Sequence, residues 1–147
     1  MPDQGWSRKT ITLQDAIVVP PWESRPRTPS GVWKDGDIAE AAAWRGAGRM
    51  SLALEEAPEP VEKLEGHFLF AGMFYGHFGH FITETISRLW AVNNDYDGVL
   101  FTPKHPTLTH FKKPHREIFE IFGIKCPTLV IKQPSLVETL TIPGQGF

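Results

Sequence analysis

With 147 residues, 41% hydrophobic and 22% charged, the chain has the size and composition of one soluble globular domain. A formal net charge of −2 gives no basic field for nucleic acid or an anionic membrane, and apolar runs such as Ala16 to Val19 fall far short of the ~20 residues of a membrane span. The opening Met1-Pro2-Asp3-Gln4-Gly5 lacks the features of a signal peptide, and a single cysteine, Cys126, fits a reducing compartment, so the sequence predicts a cytoplasmic protein.

In chain order, residues 1–60 read as a strand- and loop-rich N-terminal region packing on the rest. Thr10-Ile11-Thr12-Leu13 alternates polar and apolar, and Ala16-Ile17-Val18-Val19 is a compact apolar strand closed by Pro20-Pro21. Residues 23–30 carry two arginines and two prolines, the composition of an exposed loop. Asp35-Gly36 signals a tight turn, and Ile38 to Trp44 a short helix around Ala41-Ala42-Ala43. Glu55 to Pro60, acidic and broken by proline, reads as a linker or surface loop.

From residue 65 the pattern alternates between strands and helices. Gly66 to Phe70 predicts an aromatic-rich strand, Gly72 to Gly79 a glycine-punctuated loop, and His80 to Asn93 a helix with Ile82, Ile86 and Leu89 on its apolar stripe. Val99 to Phe101 predicts a buried strand. Pro114 to Phe122 predicts a helix ended by Gly123, with Ile118, Ile121 and Phe122 on its apolar face. Thr128 to Ile131 and Val137 to Ile142 supply two more strands. This order predicts an α/β fold: a Rossmann-like, mostly parallel sheet with helices over residues 61–147. His105, His110 and His115 fall in a Lys- and Pro-rich stretch expected to be solvated. Trp6, Trp22, Trp33 and Trp44 are expected to pack rather than to stack on sugars.

The chemistry concentrates in Gly72 to Trp90, between a strand end and a helix start, where open α/β sheets bind ligands. On an ideal helix His80, Glu84 and Arg88 step by four residues and share one face, with His77 in the loop above. Three readings fit these residues. In the first, a carboxylate fixes a histidine for acid–base work. In the second, His77, His80 and Glu84 hold a metal ion. In the third, Glu84 and Arg88 form only a surface ion pair worth ~0.3–0.5 kcal/mol.

The run GHFGHFITETISRLW resembles the signature of the family 61 glycosyltransferases, which include bacterial capsular-polysaccharide enzymes. The match falls on Gly76, Gly79, His80, Phe81, Glu84, Arg88, Leu89 and Trp90. Fainter agreement runs through Ser30-Gly31-Val32, Asp35-Gly36 and Trp44-Arg45-Gly46 and through Ile142-Pro143-Gly144-Gln145-Gly146-Phe147. The resemblance implies inverting transfer of a sugar from a nucleotide-sugar donor to a glycan acceptor, on a two-domain GT-B fold of which this chain supplies the N-terminal, acceptor-side half. It implies no metal and no cofactor besides that donor. It makes His80 and Glu84 the catalytic candidates and Gly76, His77, Gly79 and Arg88 the substrate-binding ones. The nucleotide-binding C-terminal half is absent from these residues, so the chain is expected to need that half or a complementary chain, to be inactive alone, and to self-associate. A non-catalytic carbohydrate- or partner-binding module and a small His/Glu metal-binding protein are the alternatives.

Overall fold

A computed structural model of the chain describes residues 9–21, 31–35, 37–38, 45–46, 49–50 and 57–146. The N-terminal strands are β1 (Thr10–Val19), β2 (Gly31–Lys34), β3 (Asp37–Ile38), β4 (Arg45–Gly46) and β5 (Arg49–Met50). Then follow β6 (Glu62–Phe74), α1 (Phe78–Thr83), a 3₁₀ helix (Thr85–Ala91), β7 (Gly98–Pro103), α2 (Lys113–Ile121), β8 (Thr128–Val130) and β9 (Ser135–Pro143). Seven strands form one sheet in the order β3-β2-β1-β9-β6-β7-β8, and β4 and β5 pair separately.

Strand β9 is the seam of this sheet. On one side it runs parallel to β6, which is parallel to β7, as β7 is to β8. On the other side it runs antiparallel to β1, from Thr10 opposite Pro143 to Val18 opposite Ser135, and β2 and β3 continue the antiparallel half. Lys34 pairs with Asp37, leaving Asp35 in the reversal at φ 52°, a left-handed conformation that Asp tolerates in tight turns.

Apolar residues on the two faces of the strands form two clusters. One gathers Val18, Val32, Phe70, Leu100, Val137 and Leu140. The other gathers Leu69, Phe74, Val99 and Phe101 from the strands with Phe81 of α1, Leu89 of the 3₁₀ helix and Phe119 of α2. Among the described residues, all three helices therefore pack on one face. At this density, emptying any one of these phenylalanine sites costs about 3–5 kcal/mol.

These observations overturn the expected fold. A Rossmann-like GT-B half has a mostly parallel sheet with helices on both faces. Here the sheet is mixed, and its helices have 6, 7 and 9 residues. The strands expected to pack on the domain from the N-terminal region instead extend its sheet: β1 and β2 pair in register with β9 and each other.

Three local expectations also change. The predicted helix over 80–93 is two short pieces that break at Glu84, whose φ of −125° and ψ of −49° leave the helical region. Of the helix predicted over 38–44, Ile38 is in β3 and residues 39–44 lie outside the described residues. On α2 the buried side chains are His115 and Phe119, whereas Ile121 is 78% exposed.

Candidate functional site

Strand β6 ends at Phe74 and β7 at Pro103, side by side and parallel, so both chains leave the sheet at the same end. The Lys104 amide donates to the Phe74 carbonyl at 2.9 Å and prolongs the pairing by one bond. The turn Tyr75-Gly76-His77 leads from β6 into α1, which starts at Phe78. A Cβ on Gly76 would lie 2.8 Å from Leu108 Cδ2, so a larger residue there would have to push aside the Leu108 side chain from the loop that follows β7.

His80 and Glu84 meet here. His80 Nδ1 lies 2.8 Å from Glu84 Oε2, with the His80 side chain 60% exposed and that of Glu84 24% exposed. A carboxylate accepts only, so Nδ1 carries the proton in this bond, and in the neutral form of the ring Nε2 holds the lone pair. Tyr75 stacks on the imidazole at 5.2 Å between centroids and 26° between planes. His77 meets it edge-on at 5.7 Å. On β7's side the Lys104 ammonium lies 5.9 Å from the centre of the Tyr75 ring. Thr85, 1% exposed, accepts the Tyr75 amide at 2.9 Å through its hydroxyl and so ties the strand end to the start of the 3₁₀ helix.

Arg88 does not join this group. It is 2% exposed, donates through a guanidinium N–H to the Pro143 carbonyl at the end of β9, and lies over the Phe70 ring at 5.9 Å. Burial pushes its pKa down to about 10, which leaves it charged at neutral pH. The helix break explains the move. A 3₁₀ helix turns 120° per residue against 100° in an α-helix, so four such steps carry Arg88 about 80° past the position that an unbroken α-helix would give it. Its neighbours also point to the chain's last described residues: Trp90 Nε1 donates to the Gly144 carbonyl at 2.8 Å, and the Gly146 amide donates to the Ser87 carbonyl at 2.8 Å. The motif divides into an outward half, His77 to Glu84, and an inward half, Thr85 to Trp90.

The other expected residues fall as follows. Gly79 sits in α1 with His77 Cε1 3.3 Å from where its Cβ would be, so it keeps room for that ring. Among the described residues no three His, Cys, Asp or Glu side chains group as a metal ion would require. His115 is buried rather than solvated, at 2% exposure. Trp33 packs as expected, at 1%. Sequence reasoning missed Tyr75, Lys104 and Thr85. Lys104 was findable, because two parallel neighbouring strands deliver their following residues to one place.

What this arrangement can do chemically is take up or deliver a proton at an exposed imidazole whose tautomer a carboxylate fixes. No family model, curated protein or solved structure matches the chain.

Proposed function

We propose that the chain is part of an inverting glycosyltransferase in which the His80 imidazole is the general base toward an acceptor hydroxyl and Glu84 orients it. The observation that carries this reading is the 2.8 Å bond between His80 Nδ1 and Glu84 Oε2 at the carboxyl ends of β6 and β7. It supports this division of roles: with Nδ1 donating to the carboxylate, Nε2 of the neutral ring keeps a lone pair for the acceptor hydroxyl, and the His80 side chain is 60% exposed against 24% for Glu84. The resemblance of GHFGHFITETISRLW to family 61 supplies the reaction, and the donor is a nucleotide sugar held by residues outside this chain. His77 and Lys104 flank the pair and are placed to bind polar groups of the acceptor. Arg88 is left out of the substrate-binding set because its side chain is 2% exposed and points to the Pro143 carbonyl at the sheet end.

The test joins residues 1–147 to the C-terminal half of an active family 61 enzyme and measures sugar transfer and the anomeric configuration of the product. The expected result is transfer with inversion that His80→Ala lowers by roughly 10²–10⁴-fold, the range of a general base, with the unfolding midpoint moving by less than about 2 °C. A folded, active chimera indifferent to His80→Ala would remove the reading.

A further inference from the structure

Of the six histidines, His115 alone is buried, at 2% exposure, and the proposed chemistry does not use it. It sits at the third position of α2 with both ring nitrogens committed. Nδ1 accepts the Lys112 amide proton at 3.0 Å, so it is unprotonated. The ring proton is therefore on Nε2, which donates to the Gly76 carbonyl at 3.2 Å. Phe74, Phe81 and Phe111 surround the ring with centroids at 5.0, 4.5 and 6.4 Å. Gly76 precedes His77, whose carbonyl takes the first α1 bond, from the Phe81 amide at 2.9 Å. One imidazole thus links the start of α2 to the entrance of α1.

We propose that His115 is the positioning residue of the His80–Glu84 pair: as a neutral imidazole it holds the entrance of α1 against α2, and its protonation in mild acid releases that entrance. A proton arriving on Nδ1 would face the Lys112 N–H, so a bond with one donor and one acceptor would become an opposition of two donors. Among the described residues, the charged groups that act on the ring are Lys112 and Arg116, and no carboxylate compensates them. Its own end of α2 contributes Lys112 and Arg116, the segment before it Phe111, and β6 and α1 contribute Phe74, the Gly76 carbonyl and Phe81. The titratable residues at the α1 end, His77 and His80, are both exposed. Burial holds the His115 pKa below its ordinary value, the Gly76 bond offsets part of this, and Lys112 and Arg116 lower it further. The sign follows from linkage. Below the unfolded-state value of about 6.5 the unfolded chain binds more protons at this site than the folded one. The contribution to stability is therefore complete above that pH and is lost as pH falls toward the folded value.

The inference rests on the reading above for what the released pair does, but its test is made without turnover. Histidine ring signals and amide exchange of the full chain are followed by NMR from pH 8 to pH 4.5. His115 is expected to remain the Nε2-protonated neutral form below its ordinary pKa, and protection factors of the amides of residues 76–83 to fall at least tenfold as it titrates. In His115→Gln the side-chain oxygen can accept the Lys112 amide from the same helical position, as in a capping box, and does not titrate. That variant should keep its protection across the range. Two results would overturn the proposal: the same acid-dependent loss in His115→Gln, or titration of wild-type His115 with no change in exchange at 76–83. Either is distinct from a failure of the transferase reading, which the chimera's response to His80→Ala reports separately.

Discussion

At the scale of single residues, the motif's four-residue steps place together side chains with opposite fates. His80 and Glu84 stand at the surface in a bond that needs no burial to form, whereas Arg88 is sealed beneath the sheet end. An exposed histidine contributes little to stability, whereas truncating a buried guanidinium leaves its carbonyl partner without a donor and a cavity behind. Arg88→Ala would leave the Pro143 carbonyl without that donor and open a void over Phe70. The expected cost is about 2–4 kcal/mol, which at this chain length lowers the thermal midpoint by roughly 5–15 °C. Calorimetry or circular dichroism would measure it. Arg88→Lys should not recover the loss, since an ammonium lacks the planar fork that spans from the carbonyl to the ring. If Arg88→Ala melted like the parent chain, the inward half of the motif would need another explanation.

At the scale of elements, β6 and the 3₁₀ helix are fitted to each other at Gly72. Its φ is +87°, and a Cβ there would lie 3.1 Å from Arg88 Nε, so glycine is required both for the backbone conformation and for the approach of Arg88. Gly72→Ala should therefore destabilise the chain, and a double-mutant cycle with Arg88→Ala should show a coupling of about 0.5–3 kcal/mol in urea unfolding. Purely additive losses would mean that backbone strain alone sets the cost. Sequence reading located most of the strands from 66 onward because their apolar runs are short, branched and bounded by turn residues. It also located the His80–Glu84 pair, because a four-residue step survives one and a half turns of helix. It misjudged what followed. Periodicity carries no mark where an α-helix tightens into a 3₁₀ helix, and the Pro143 carbonyl that Arg88 then meets lies 55 residues away in sequence. His115 escaped for a related reason: its neighbours in sequence, Lys112, Lys113 and Arg116, are charged and exposed, and only the tertiary fold supplies the phenylalanine rings that enclose it. The expectation of a Rossmann-like sheet failed on pairing partners, because alternation of strands and helices does not say where β1 and β9 insert.

At the scale of the whole molecule, the sheet ends at β8, whose outer edge is unpaired among the described residues. The Val99 amide bonds to the Pro127 carbonyl and the Ile131 amide to the Phe101 carbonyl, so Thr128 and Val130 turn their backbone groups away from β7. Leu129 on this strand is 37% exposed. Such an edge can pair with another chain, and self-association of residues 1–147 is the expected outcome in light scattering across a dilution series. Leu129→Lys, which places a charge on the edge, should shift the chain toward monomer; equal association in both would locate the contact elsewhere. The ladder between β1 and β9 has a further consequence, in time rather than space. Strand β1 is complete at Val19 and its β9 partner begins at Ser135, and synthesis proceeds at roughly 5–20 residues per second. Every nascent chain therefore carries Ala16 to Val19 without that partner for on the order of ten seconds, longer than most small domains take to fold. During that interval the first strand made is the one most in need of a chaperone's cover.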